Sequence, residues 1–201
     1  MNTELDFNDL PLISFVLPTL GREEGVVKCL KSIDDLYYPS NKKEVIVIKD
    51  SPRMGLPRRL KEGVSKSSGE YIVFSSDDLE FDRFCIFEAL KEKKALVSFN
   101  SGPLYPDHGN ICEHFIIKKS FIEKIGGEIF DTEFNHLGVD NLLWAKCLRL
   151  NEAVWCEKAI AHHHHFTKTG KYDAIYNVAW NADSAKKDRE LLKKKLQELN
   201  L

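Results

Sequence analysis

Three short apolar runs alternate with two helical stretches early in the chain, and this alternation limits the fold more than any other feature. The runs at 13–17, 45–48 and 71–74 have the length and composition of buried strands. Apolar residues at helical spacing occupy 22–36, and a second helical stretch around Leu60 precedes the third run. Two consecutive β-α-β units predict an α/β domain whose mixed, mostly parallel sheet is flanked by helices.

The rest of the chain is less regular but continues this pattern. We expect a polar loop at 100–114 and an amphipathic helix at the C-terminal end, with Leu192, Leu196 and Leu199 on its apolar face. That helix could pack on its own domain, which we favour, pair with a second copy, or lead into a further domain. Further strands are expected at 95–99, 115–117 and 153–161, and further helices at 82–94, at 139–150 and in a short segment ending at Gly126 and Gly127.

Composition excludes several classes of function. The formal net charge of −2 and the scattered basic residues give no sign of a nucleic-acid partner. The five cysteines form no CxxC pair and are odd in number, which argues against a disulfide framework or a zinc ribbon. We see neither a signal peptide nor a membrane span. The expectation is a soluble, cytoplasmic protein with reduced thiols.

Polar residues follow each of the first three predicted strands. Thr19 and Arg22 follow the first strand, Asp50 the second, and Asp77 with Asp78 the third. Because the carboxyl ends of parallel strands meet at one edge of a sheet, these residues should converge, and ligands of such sheets bind there.

Asp77 and Asp78 are candidates for holding a divalent cation. Adjacent carboxylates repel each other unless a cation or strong donors neutralise them. Mg²⁺ or Mn²⁺ takes one or two protein carboxylates together with substrate phosphates and water. The alternative is a solvated turn that caps the helix at 82–94.

Four consecutive histidines, 162–165, end the strand predicted at 153–161. In an extended segment His162 and His164 point one way and His163 and His165 the other, so one pair could face the metal. Neutral imidazole is a good metal ligand. The alternative is a histidine cluster at the surface or in the core.

Two further positions are candidates for chemistry. Asp140 lies in the first turn of a predicted helix after Gly138, where it is either a general base or an acid favoured by the helix dipole. Arg58 and Arg59 could contact a diphosphate or simply start a solvated helix. No GxGxxG, GxxxxGK[ST] or GxSxG motif is present, so dinucleotide, P-loop and hydrolase-elbow sites lack support.

Five segments in order resemble family 2-type glycosyltransferases with the GT-A fold, a Rossmann-like nucleotide-diphospho-sugar transferase fold. The resemblance covers about residues 12–166 and is most specific in the third segment. The five segments are ISFVLPTLGR, EVIVIKD, SSGEYIVFSSDDLEF, HLGVDNLLWAKCLRL and AIAHHHHF.

The resemblance implies a metal-dependent, inverting transfer of a sugar from a nucleotide-sugar donor, with a UDP-sugar expected, to a glycan, lipid-linked or protein acceptor. It assigns nucleotide binding to Thr19, Arg22 and Asp50, places Asp77 near the sugar or ribose, and gives the Mn²⁺ or Mg²⁺ ion to Asp78 with His162 or His164 and the role of base to Asp140. We add Pro18, Arg58 and Arg59 to the predicted donor site. We divide the chain into a lead-in at 1–11, a domain at 12–180 and the helix at 181–201, and the domain into a nucleotide-binding half (12–100) and an acceptor and metal half (101–180).

Two positions depart from the family pattern. Ser76 stands where the family has the first Asp of its DxD motif, and Val139 stands where it has a Glu before the base. They make a non-catalytic domain that binds sugar nucleotides or a partner one alternative. The other is a sugar-phosphate nucleotidyltransferase, which also uses a Rossmann-like sheet, Mg²⁺ and acidic residues. A nucleotidyltransferase would need a Gly-rich basic loop after the first strand, whereas PTLGR has one Gly and one Arg.

Overall fold

The structure is a computed structural model that describes residues 9–102, 112–179 and 182–200. Its described strands are β1 (Ile13–Thr19), β2 (Lys43–Lys49), β3 (Tyr71–Phe74), β4 (Leu79–Phe81), β5 (Leu96–Asn100), β6 (Phe115–Lys118) and β7 (Ala153–His163). Its described helices are α1 (Glu23–Asp34), α2 (Leu56–Lys66), α3 (Cys85–Lys91), α4 (Val139–Arg149), α5 (Phe166–Thr169), α6 (Ile175–Ala179) and α7 (Ala182–Glu198), with 3₁₀ segments at Ser40–Lys42 and Lys119–Ile125.

The strands join in one mixed sheet in the order β2-β1-β3-β6-β5-β7-β4. Strand β1 pairs in parallel with β2 and β3, and β5 pairs in parallel with β7. Strand β6 runs antiparallel to β3 and β5, and β4 runs antiparallel to β7. Most of these strands therefore run in one direction, which confirms the predicted mixed, mostly parallel sheet.

Side chains of β1 alternate between the two faces of the sheet and enter two cores. Phe15 packs with Ile33 of α1 in one core, and Val16 packs with Leu60 of α2 in the other. A β-carbon at Gly63 of α2 would collide with Val16, so glycine there allows the helix to approach the strand closely. These cores fix the direction in which the strand ends point.

Three short elements were not predicted from the sequence. Strand β4 has three residues, too few for an alternating pattern to show, and it is held by pairing with the distant β7. Helices α5 and α6, of four and five residues, are equally short. The predicted helix at 82–94 is shorter, Cys85–Lys91. Most of the expected polar loop at 100–114 lies outside the described residues, as do residues 1–8 of the lead-in.

Helix α7 packs on its own domain. Leu192, Leu196 and Leu199 lie against the core beside α2 and α4, and Arg149 of α4 donates to the carbonyl of Leu199 at 2.7 Å. The division of the chain into a domain and a separate helix stays a prediction. No helix among the described residues has both the length and the apolar character needed to cross a membrane.

Candidate functional site

A cavity of about 500 Å³ opens at the carboxyl ends of β1, β2 and β3. Its volume is in the range of small-molecule binding sites. Arg58, His162 and His164 are predicted site residues that do not line it. The predicted residues that do line it are Pro18, Thr19, Arg22, Asp50, Arg59, Asp77, Asp78 and Asp140.

Asp77 and Asp78 are contacted by two side chains at the end of β1. These are Thr19, the last residue of the strand, and Arg22, which follows it. Thr19 Oγ1 donates to Asp77 Oδ2 at 2.5 Å, while Arg22 reaches Asp77 Oδ1 at 3.0 Å and Asp78 Oδ2 at 3.1 Å. Burial raises the pKa of Asp77 despite the Thr19 hydrogen bond and the Arg22 charge. Thr19 and Arg22, two residues that were predicted to bind a nucleotide-sugar donor, thus hold the acidic pair in place.

The pairing of β4 with β7 selects which histidine faces the cavity. His163 lies opposite the buried Leu79 and therefore points inward. Its Nε2 lies 3.5 Å from Asp78 Oδ1, and its Nδ1 lies 2.9 Å from Glu113 Oε2. A carboxylate on one ring nitrogen fixes the orientation of the other, as in many metal sites.

His162 and His164, the histidines chosen from the resemblance, lie on the other side of β7. His162 is exposed opposite Glu80, and His164 Nε2 contacts Glu80 Oε1 at 3.0 Å, with half of its side chain exposed. The sequence predicts the alternation, but the register that turns His163 inward depends on β4. The metal-ligand proposal therefore moves to His163.

His114 is a third candidate ligand that no sequence pattern singled out. Ligand atoms of Asp78, His114 and His163 lie within 4.8 Å of one another. His114 is 4% exposed and stacks on Phe74, its Nε2 lies 2.8 Å from Ser76 Oγ, and its Nδ1 has no hydrogen-bond partner among the described residues. Imidazole ligands suit first-row transition ions, whereas Mg²⁺ prefers oxygen ligands, so one carboxylate with two imidazoles favours a transition ion over Mg²⁺.

Charge in this cluster is set by burial and by mutual contacts. Burial lowers the pKa of His114 to about 3, so this ring is neutral and needs no deprotonation to bind a metal. Burial works to raise the pKa of Asp78, but the hydrogen bond and charge of His163 hold it well below its usual range. Burial is likewise outweighed at Glu113, where the hydrogen bond of His163 and nearby charges lower the pKa to about 2. Metal binding would displace a proton from His163, whose pKa is raised by these two carboxylates against the effect of burial.

Asp50 and Arg59 are occupied by each other and by the loop that follows β2. Asp50 accepts from the backbone N–H of Met54 at 2.6 Å and of Gly55 at 3.1 Å, and from Arg59 Nε at 2.9 Å. Arg58 donates to the carbonyl of Met54 at 3.2 Å, outside the cavity. These contacts of Asp50 stabilise the loop that leads from β2 to α2. The sequence pattern suggested a role in donor binding and did not indicate this structural role.

Asp140 lies in the first turn of α4 and lines the cavity. Burial raises its pKa to about 6, against backbone N–H groups that favour the charged form. A carboxylate with such a pKa is well suited to accept a proton near neutral pH.

Tyr176 of α6 closes the site from a segment that was given no role in the sequence-based predictions. Its hydroxyl donates to Asp78 Oδ2 at 2.9 Å, and the Arg22 guanidinium lies 5.2 Å from its ring centroid. The sequence offered no signal beyond an aromatic residue after the histidine run.

Solved structures with the same architecture include a mannosyltransferase and a protein bound to a nucleotide sugar. A mannosyltransferase from Pyrobaculum calidifontis in complex with GDP-Man and Mn²⁺ has a TM-score of 0.64 at 18% identity, over 79% of this chain and 58% of that chain. S. aureus TarS 1-349 in complex with UDP-GlcNAc has a TM-score of 0.61 at 13% identity, over 92% of this chain and 71% of that chain. The fold is GT-A. This confirms the fold that the five sequence segments predicted.

The similarity is one of structure rather than of sequence. No protein-family model matches the sequence, and neither does any curated protein. The chain spans 58% of the mannosyltransferase and 36% of the longer TarS structure, to which it has a TM-score of 0.62.

Proposed function

We propose that this chain is a metal-dependent glycosyltransferase that moves a sugar from a nucleotide-diphospho-sugar to a hydroxyl acceptor with inversion. The observation that carries the proposal is the Asp78–His114–His163 cluster, which shares one cavity with Asp140 at the carboxyl edge of a GT-A sheet. Asp78, His163 and His114 would hold the ion. When bound, a divalent metal neutralises charge on a departing diphosphate.

The protein's own residues supply binding and proton transfer. Arg22, which pairs with Asp77 and Asp78 in the ligand-free protein, carries a guanidinium whose geometry matches phosphate oxygens. Asp140 would take the proton of the acceptor hydroxyl as the new bond forms, a contribution typically worth about 10²–10⁴ in rate. Val139, where the family has a Glu, is buried in the core and gives the acceptor no polar contact.

The nucleotide sugar that serves as donor and the anomeric configuration of the product can both be determined by experiment. The contacts of Asp50 within its own loop give no preference for uracil, so UDP-GlcNAc and GDP-mannose, the donors bound in the two similar structures, are tested first. The acceptor oxygen would attack the anomeric carbon on the face opposite the departing nucleoside diphosphate, while Asp140 takes the hydroxyl proton, and such a single displacement inverts the configuration of that carbon. A product with retained configuration, seen by NMR, would rule out the role given to Asp140.

The decisive experiment is a calorimetric titration of these donors with and without Mn²⁺, followed by assay of nucleoside diphosphate release. We expect donor binding that requires Mn²⁺ and weakens at least tenfold in Asp78→Asn. Asp34→Asn, an exposed acid on α1, is the matched control and should bind as the parent does.

The results separate the alternatives. Donor binding without turnover on any acceptor would identify a binding domain, and pyrophosphate release from a nucleoside triphosphate would identify a nucleotidyltransferase. Donor binding that is equal with and without Mn²⁺, and equal in Asp78→Asn, would refute the metal site.

A further inference from the structure

Helix α7 holds the loop that leads into α4 through one buried carboxylate. Asp188 is 2% exposed, and its two oxygens accept from three consecutive backbone N–H groups, those of Asn135, His136 and Leu137, each at 2.9 Å. Hydrogen bonds to a charged acceptor are stronger than those between neutral groups. This carboxylate therefore fixes the path of the chain at 135–137.

Two more contacts from α7 hold the same segment. Lys195 Nζ pairs with Asp131 Oδ2 at 2.9 Å and with Glu133 Oε2 at 2.7 Å. Leu192 packs on Gly138, where a β-carbon would lie 2.9 Å from Leu192 Cδ2. The helix thus holds the segment 131–138 along its length.

This segment ends where the proposed base begins. Gly138 is the N-cap of α4, and Asp140 is in the first turn. Leu192 and Arg189 of α7 line the same cavity as Asp140. A displacement of the segment would therefore change both the position of Asp140 and the wall beside it.

We infer that Asp188 is a positioning residue that sets the geometry of Asp140, so that α7 is a working part of the active site. The inference rests on the proposed function, since it takes Asp140 as the base. It predicts that loss of the Asp188 charge slows transfer and leaves donor binding intact, because Arg22, the acidic pair and His163, which we propose for donor and metal binding, lie outside the segment 131–138. A misplacement of about 1 Å can cost up to about 100-fold in rate.

The test compares Asp188→Asn with Glu190→Gln, an exposed acid on the same helix. The Asn amide places a donor against a backbone N–H, so at least one hydrogen bond is lost while the shape is kept. We expect kcat to fall 10- to 100-fold and the donor KM to stay within twofold in Asp188→Asn. The ascending limb of its pH profile should also shift, since the surroundings of Asp140 change. Glu190→Gln should match the parent in all three.

Hydrogen exchange gives a readout that needs no activity, and its first part, on the parent protein, needs no variant either. The amides of Asn135, His136 and Leu137 should exchange as slowly as those of the sheet, and faster in Asp188→Asn than in Glu190→Gln. Rapid exchange of these amides in the parent protein would overturn the hold of α7 on the loop.

The activity results separate this inference from the proposed function. An unchanged kcat in Asp188→Asn, in a protein that does transfer sugar, would overturn the positioning role and leave the enzyme assignment intact. If the parent transfers no sugar from any donor, the proposed function fails and the role of Asp188 in catalysis fails with it, whatever the exchange data show.

Discussion

At the scale of single residues, Asp78 is the point where the charges of the site meet. Its Oδ1 is contacted by Ser76 Oγ at 2.6 Å and by His163 Nε2 at 3.5 Å. Its Oδ2 is contacted by Arg22 Nη1 at 3.1 Å and by the Tyr176 hydroxyl at 2.9 Å. A guanidinium and a phenol thus contact an oxygen through which Asp78 could bind a cation. A cation bound through Oδ2 would compete with both.

The variant Tyr176→Phe should bind Mn²⁺ more tightly than the parent. It removes a competitor for Asp78 Oδ2 without changing the size of the ring. Hydrogen bonds to charged groups contribute about 1.5–3 kcal/mol, so an affinity gain of about tenfold is expected. A calorimetric titration of each protein with Mn²⁺ alone measures this affinity.

The control for this prediction is Tyr172→Phe. Tyr172 is a ring neighbour of Tyr176, and its hydroxyl donates to Asn177 rather than to the acidic pair. It should leave the affinity for Mn²⁺ unchanged. An unchanged or weaker affinity in Tyr176→Phe would show that the phenol does not compete with the ion.

Replacement of the proposed base, Asp140→Asn, should lower kcat by about 10²–10⁴ and preserve donor binding. Burial raises the pKa of Asp140 to about 6, and a base acts only when ionised. The rate of the parent should therefore rise with pH through about 6 and then level off. Steady-state kinetics from pH 5 to 8 would show this limb in the parent and not in Asp140→Asn. A variant that keeps both the limb and the rate would exclude Asp140 as the base.

At the scale of elements, the order of strands and helices could be read from the sequence, but their register could not. Apolar runs and helical spacing predicted β1, α1, β2, α2 and β3 because each is long enough to show its period. The inward position of His163 depends on its pairing with Leu79, between strands more than 80 residues apart. A shift of one residue would turn His162 and His164 inward, and no local pattern decides between the two.

Substitution of Gly138, the N-cap of α4, should destabilise the protein because of its backbone conformation and because of its contact with Leu192. Its φ of +79° is left-handed, which costs a residue with a β-carbon about 1–2 kcal/mol, and Leu192 leaves little space for that carbon. Gly138→Ala should therefore lower the free energy of unfolding by at least that amount in urea titrations.

Gly170→Ala is the matched control for the cap. Gly170 has a φ of +68°, and nothing lies within 4 Å of the position that a β-carbon would take there, so it carries only the conformational cost. The loss in Gly138→Ala should exceed the loss in Gly170→Ala, because only the former must also move Leu192. Equal losses in the two variants would mean that Leu192 of α7 can move away from residue 138 at no cost in free energy.

At the scale of the whole molecule, distant parts of the chain complete one cavity. Strand ends predicted from local patterns supply Thr19 and the acidic pair. His114 and Tyr176, which also line the cavity, and Asp188, which holds the segment 135–137 beside it, come from segments without a recognisable motif. These three side chains are buried polar groups whose partners lie at least 38 residues away in sequence. Tertiary packing alone brings such groups together. The sequence therefore revealed the fold and the nucleotide edge better than the groups that enclose them.

The buried histidines should make the protein sensitive to acid. His114 and His165 are each 4% exposed, and burial lowers their pKa values to about 3 and about 4, whereas an unfolded histidine has a pKa of about 6.5. Between these values the unfolded chain binds more protons, so stability falls as the pH drops below about 6.5. At pH 5, about 1.5 units below the pKa of the unfolded histidine, each of the two lowers the free energy of unfolding by about 2 kcal/mol, since one pH unit is worth about 1.4 kcal/mol. The raised pKa of Asp140 acts in the opposite direction and offsets about 1 kcal/mol of it.

Burial also lowers the pKa of His136, to about 4, which adds to the loss at low pH. Urea unfolding in chelator-treated buffer should therefore give a free energy of unfolding that is lower at pH 5 than at pH 7. His114→Gln should reduce this difference by about 2 kcal/mol, because an amide at this position takes up no proton on unfolding. His162→Gln, a change on the exposed outer face of β7, should leave the difference as it is. If stability proves equal at the two pH values, or if His114→Gln keeps the full difference, the ring of His114 is not held neutral in the fold. Its readiness to bind a metal without losing a proton would then be lost as well.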